Sequence, residues 1–272
     1  MVAASASPDS LAERLPATSV IAELHRLHSG RESPGLFSRL FGRSPLGADA
    51  RSWYRGALGE IEVGQILDEL PGWTVLHAVP VGTAGSDIDH VLIGPAGVFT
   101  VNTKNHSGQK IWVAGSRFLV NGQKQDHVRN SLHEARRAGK LLGARVGYPV
   151  EVTPLVVVVR PASLTVRSST AASVTVLDSR RLARWLGRRK PVLPAEQVTG
   201  IAAAASQLQT WSALAAPLPD HAGEREWFRL LRRRVTAARH RAQLWMLAAL
   251  AGMFAAAATL LGQLPGILRS LL

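Results

Sequence analysis

A stretch without charge limits this chain more than any other feature. No Asp, Glu, Lys or Arg occurs between Arg241 and Arg269, a gap of 27 residues. Its centre, Leu244 to Leu264, reads LWMLAALAGMFAAAATLLGQL and has no polar face. A helix rises about 1.5 Å per residue, so this segment covers roughly 30 Å, the depth of a bilayer's hydrocarbon core. The alternative, a buried core helix of a soluble protein, usually shows a polar stripe at that length. The expectation is therefore a single transmembrane helix over 242–264, with Trp245 at headgroup level where it begins.

Charge orients the span. The net charge is +13, from 32 basic and 19 acidic residues, and eight of the basic groups against two acidic ones fall in 222–272. Seven are arginines between Arg225 and Arg241. Positive flanks stay on the cytoplasmic side, which predicts a single-pass membrane protein with its N-terminal domain cytoplasmic and 265–272 as a short outer tail. Within 222–241, Trp227, Leu230, Leu231 and Val235 recur at helical spacing, the pattern of a basic juxtamembrane helix against an anionic leaflet. Gly252 and Ala256 form a small-xxx-small pair that points to a homodimer contact. The opening MVAASASPDSLAERLP has no apolar core of a signal peptide. Only five of the basic residues are Lys, a bias that fits a GC-rich genome as well as it fits phosphate recognition.

The absence of cysteine removes disulfides, thiolate nucleophiles and Cys-based zinc sites. Residues 1–50 read as a flexible or peripheral arm, with one short helix near Ser19–Leu27. Residues 51–221 read as one domain. Tyr54–Leu70 has helical periodicity and stops at Pro71-Gly72. Short β-rich runs follow at Trp73–Val79, Asp87–Ile93 and Val98–Lys104, with a hairpin over Ile111–Val113 and Arg117–Val120. His127–Val146 is a basic amphipathic helix. Val152–Val159 is continuously apolar, as in a strand covered on both faces. Val174–Leu177 reads as a strand, and Ser179–Leu186 and Ala195–Leu214 as helices. This order predicts the α/β class: one central mixed β-sheet flanked by helices.

The stretch Ser86–Ser107, SDIDHVLIGPAGVFTVNTKNHS, carries the chemistry. With GPAG as the turn, Ile93 closes on Val98, and counting outward sets Asp89 opposite Asn102 and Asp87 opposite Lys104. Alternation by two puts all four on one face, and opposed Cβ atoms lie about 5 Å apart. That spacing lets two side-chain oxygens share a hard cation beside a lysine, the arrangement that metal-dependent phosphodiester hydrolysis needs. The same residues also fit an Asp87–Lys104 ion pair that merely ends a hairpin. His90 falls on the opposite face from Asp89 and reads as a packed histidine.

Several motifs occur in order here: G-x-x-G-E at Gly56–Glu60, I-D-H at Ile88–His90, G-V-F at Gly97–Phe99 and T-K-N at Thr103–Asn105. Together they resemble the NERD (nuclease-related) domain of the PD-(D/E)XK, restriction-endonuclease-like superfamily, over roughly residues 51–165. The resemblance implies a restriction-endonuclease-like fold and a Mg²⁺ (or Mn²⁺) dependent nuclease acting on nucleic acid, DNA in the first instance. It implies Asp89 as metal-binding acid, Lys104 as the motif lysine and Glu60 as the acid on the first helix, with the Thr103 carbonyl as a further ligand. Asn102 departs from the pattern, since the superfamily carries an acid there; an amide oxygen ligates Mg²⁺ without adding charge. The departure keeps a second reading open, a weakened nucleic-acid-binding or scaffold module tethered to the bilayer. Arg129, Arg136, Arg137 and Lys140 on the basic helix are candidate phosphate contacts. Gln123 and Gln125 stand where the family carries a Gln-bearing segment. No P-loop, G-x-S-x-G or H-E-x-x-H motif occurs.

Overall fold

A computed structural model describes residues 10–29, 35–81, 87–167, 174–212 and 221–270, with side chains through 259 and at 261. Residues 1–9, 30–34, 213–214 and the tail 271–272, together with Ser86 of the chemistry-bearing stretch and the span side chains at 260 and 262–264, lie outside the described set. The chain forms two compact units, one of residues 1–24 and 52–221, the other of 25–51 and 222–272.

The elements in chain order are α1 (Thr18–His28), α2 (Leu36–Leu40), α3 (Ala48–Asp68), β1 (Thr74–Pro80), β2 (Asp87–Gly94), β3 (Gly97–Lys104), β4 (Lys110–Ala114), β5 (Arg117–Val120) and β6 (Gln123–Gln125). They continue as α4 (His127–Val146), β7 (Val152–Val158), β8 (Ser163–Arg167), β9 (Thr175–Asp178), α5 (Leu182–Gly187), α6 (Ala195–Ala205), α7 (Leu208–Trp211) and α8 (Ala222–Ser270). The α/β class holds.

In the first unit a five-stranded mixed sheet runs β1-β2-β3-β7-β9. Its first three strands are antiparallel neighbours, and β7 and β9 join parallel to β3 and β7. The register about the GPAG turn pairs Ile93 with Val98, Leu92 with Phe99, Val91 with Thr100 and His90 with Val101, as counting from the turn predicts. Gly97, the first residue of β3 after the Pro95-Ala96 turn, sits at φ +118°, a value that glycine adopts without a Cβ clash. The β7 run Leu155–Val158 is buried throughout; its two faces supply different apolar clusters, with Leu155 and Val157 in one and Val156 and Val158 in the other.

The expectation of a single sheet needs correction. β4, β5 and β6 curl into a second sheet, completed by β8 in the order β6-β5-β4-β8. β8 pairs parallel with β4 across about fifty residues of chain. Its side chains are mostly exposed, so no apolar run announces it, and the partner sets its conformation. Ala195–Leu214 also differs from a single helix. The Ser206 hydroxyl donates back to the Ala202 carbonyl at 2.9 Å, and Gln207 turns extended (ψ 126°) before α7 begins. Ahead of α3, Leu11, Ile21 and Leu24 are buried, and the Leu11 N–H donates to the Ser206 carbonyl at 2.9 Å.

In the second unit, α8 is one continuous helix. Its stretch Ala222–Thr259 is long and apolar enough to cross a membrane, and none of its apolar window is buried. Before that window Phe228, Leu231 and Ala238 are buried, and Trp227 stacks at 4.6 Å on His25 and 5.6 Å on His28.

Candidate functional site

At the open end of the β2–β3 hairpin the backbone ladder stops at His90–Val101, and a side chain takes over. Oδ2 of Asp89 accepts the Thr103 N–H at 2.6 Å. That bond fixes Asp89 against the strand carrying Asn102 and Lys104. The β1–β2 register passes from His77–His90 to Val79–Ile88, and Ala78 between them has φ +45°, a strained alanine of the kind that gathers at functional sites.

Asn102 is buried and its amide nitrogen donates to both oxygens of Glu134, at 2.8 and 2.9 Å. Glu134 lies on α4, 32 residues further along the chain. The sequence reading omitted it. A carboxylate from a helix thus sits against Asn102, the strand position where the NERD resemblance leads one to expect an acid. The available signal was an acid in the middle of an otherwise basic helix.

Glu60 reaches the same end of the sheet from α3. Gly59 makes this approach possible, because a Cβ there would stand 3.0 Å from Cβ of Asn105 and 3.4 Å from Cγ2 of Thr103. Asn105 in turn donates its amide to the Arg55 carbonyl at 2.7 Å. The second glycine of G-x-x-G-E and the asparagine of T-K-N therefore form one packing contact between helix and strand.

Two segments near the start of the chain close on the acids. Ser19 hydrogen-bonds Asp87, Arg14 donates to the Ser19 hydroxyl at 2.8 Å, and the Ala17 N–H donates to Glu60. Ala17 has φ +62° and is fully buried. Among the described residues no ion pair joins Asp87 to Lys104. The simple hairpin-ending pair is replaced by this cover.

The electrostatics follow from crowding like charges in a dry place. Burial pushes Asp89 up to about 6 against the pull of Lys104. Burial raises Glu134 to about 7, with Asp89 and Asp87 adding to it and the Asn102 amide opposing. Glu60 is raised well above the carboxylate range by burial, then by Asp89 and Asp87, and burial raises Asp87 as well. Around these acids Oε2 of Glu60, Oδ2 of Asp87, Oδ1 of Asn102 and Oγ1 of Thr103 are buried without a hydrogen-bond partner. Unpartnered buried oxygens among mutually repelling carboxylates fit a hard divalent cation. Among the described residues no three Asp, Glu or His side chains already stand as a closed metal cage.

Two histidine pairs flank the hairpin. On the far face His90 is fully buried; its Nδ1 lies 2.8 Å from Nδ1 of His77, whose Nε2 meets Asp68 at 2.9 Å. Neutral His77 donates its Nε2–H to Asp68, so its Nδ1 accepts the Nδ1–H of His90, which is a packed histidine, as expected. On the site side His106 donates Nδ1–H to the Gln109 amide oxygen at 3.0 Å, leaving its Nε2 to accept from His127 at 3.1 Å. Burial and Lys104 push His127 down to about 3. This contact places two neutral imidazoles beside Lys104, a grouping that helix spacing does not reveal.

The proposed phosphate contacts divide. Arg129, Arg136 and Lys140 are exposed along α4, and Arg137 is half-buried. Arg129 is paired with Asp126 at 3.0 Å. Gln123 and Gln125 lie on β6, the edge of the second sheet, and among the described residues no hydrogen bond links either to Lys104 or the acids. A separate cleft of about 760 Å³ lies by the GPAG turn, lined by Arg188, Arg189, Lys190 and Trp185. It is at the opposite end of β3 from Lys104 and lacks the acidic grouping.

Comparison with known proteins gives a family match over the region that carries these residues. Residues 55–159 match the family described as nuclease-related domain, NERD. An uncharacterized protein of Bacillus anthracis is 41% identical over 68 residues, which cover 23% of this chain and 31% of that protein. The chain thus spans about a third of the length of the curated relative it matches. No solved structure matches the chain.

Proposed function

We propose that the nuclease-related domain is a divalent-metal-dependent nuclease, held at the cytoplasmic face of a membrane by α8. The observation that carries this reading is the Glu134 carboxylate seated on the Asn102 amide beside Asp89 and Lys104. Glu60, Asp89 and Glu134 would hold Mg²⁺ or Mn²⁺, with Oδ1 of Asn102 as a neutral oxygen donor. An ion bound there would supply neutralisation of phosphate charge and a lower pKa for a nucleophilic water. Lys104 orients that nucleophile and stabilises charge building on the phosphate. Exposed Arg136 and Lys140, on the helix that carries Glu134, track the nucleic-acid backbone.

The test uses the full chain in nanodiscs with duplex DNA, single-stranded DNA and RNA, in Mg²⁺, Mn²⁺ or EDTA. Metal-dependent cleavage that disappears in Lys104→Ala and Glu134→Ala is the expected result. Cleavage unchanged by both substitutions rejects the assignment. A binding or scaffold role is favoured by one observation, the lack of a closed cage among the described residues. It predicts salt-sensitive nucleic-acid binding without cleavage.

A further inference from the structure

The second unit exposes an apolar patch that the nuclease reading does not use. In and just after α2, Leu36, Phe37, Leu40 and Phe41 are 81%, 79%, 55% and 53% exposed. Their spacing of i, i+1, i+4 and i+5 puts them on one side of the helical turn, while Ser38 between them is half-buried. Four large apolar side chains in six residues is a concentration that a water-facing surface avoids.

What this patch adjoins identifies its partner. The Trp245 indole donates to the Leu40 carbonyl at 3.0 Å, and its ring lies 5.2 Å from Phe41. Arg241 donates to the Arg39 carbonyl at 3.1 Å. Gly42, at φ +69°, lies so close that a Cβ would stand 2.4 Å from the Ala238 carbonyl and the Ala242 nitrogen. α2 is therefore fastened to α8 between Ala238 and Trp245, where the arginine run ends and the uncharged stretch begins. An Arg-to-Trp boundary of this kind sits at the level of lipid headgroups. Trp245, in contact with Phe41, is itself partly exposed, and its chain neighbours Leu244 and Met246 are exposed as well.

We infer that α2 is a second membrane contact, an interfacial helix that inserts Leu36, Phe37, Leu40 and Phe41 into the leaflet around the start of the α8 span. Arg39 and Arg43, with the arginines of α8, lie beside the phosphates of anionic lipid. The chain is then held by a span and a lateral foot. The inference rests on α8 being a membrane span and is independent of the nuclease assignment.

The chain has no cysteine, so a single spin label reports one position. Phe37→Cys, Phe254→Cys and Glu196→Cys are each labelled with a nitroxide, the full chain reconstituted in phosphatidylcholine–phosphatidylglycerol vesicles. Accessibility to oxygen and to an aqueous nickel chelate then reads depth. The expected result places position 37 about 5–10 Å below the headgroups, 254 deeper and 196 in water. Position 37 as wet as 196, with 254 buried in lipid, overturns the interfacial helix alone. Water exposure at both 37 and 254 overturns the span with it. Protection at 37 accompanied by spin–spin broadening that vanishes on dilution with unlabelled chain assigns the patch to a second copy and overturns the lipid contact.

Discussion

The amide nitrogen of Asn102 bridges both oxygens of Glu134, at 2.8 and 2.9 Å. One donor holding two acceptor atoms orients the carboxylate without neutralising it. On the proposed function, the residue that departs from the expected pattern is the one that positions the second acid.

Metal affinity tests that relation. Glu134→Ala is expected to weaken Mg²⁺ binding on the order of tenfold or more, measured by calorimetry on the full chain. Asn102→Asp restores a charge on the strand but sets it against Glu134. We expect tighter Mg²⁺ binding and a less stable metal-free protein; unchanged values for both would disconnect Asn102 from the ion.

Stability against pH follows from the raised acids. Glu134 releases its proton near 4.5 when unfolded and near 7 when folded. The folded state therefore binds more protons between those values, and its stabilising contribution, complete below about 4.5, is lost as pH rises through about 7. Asp89 acts in the same direction between 3.8 and about 6. In EDTA the unfolding midpoint should fall across this window. Glu134→Gln should flatten the fall, whereas a midpoint that rises with pH would contradict the crowded-acid picture.

Gly59→Val adds bulk where even a Cβ would stand 3.0 Å from Asn105. Overpacking of this kind costs about 1–3 kcal/mol and drives α3 off β3. Thermal unfolding should report the loss, and Mg²⁺ affinity should drop because Glu60 moves with the helix. Gly200→Val, on α6 in open space, carries the ordinary helix cost without the affinity change.

Nucleic-acid binding should depend on salt through α4. Arg136→Ala and Lys140→Ala are each expected to lower the slope of log affinity against log salt by about 1 and to weaken all sequences alike. Fluorescence anisotropy in EDTA separates this from cleavage. An unchanged slope in the double variant would remove α4 from the contact.

Local pattern was enough for much of this protein. Alternation by two and a GPAG turn put Asp89, Asn102 and Lys104 at one hairpin end, because pleat and register are properties of neighbouring residues. The uncharged stretch after Arg241 marked a helix long and apolar enough to cross a membrane, because a bilayer imposes length and composition directly. Partners chosen across long loops were not legible. Glu134 joins Asn102 from another element, Arg14, Ala17 and Ser19 return from near the start of the chain to cover the acids, and β8 becomes a strand only because β4 is beside it. Periodicity says which face of an element is apolar and leaves open what meets its polar face. Tertiary packing alone decided that a carboxylate from a helix would sit against Asn102.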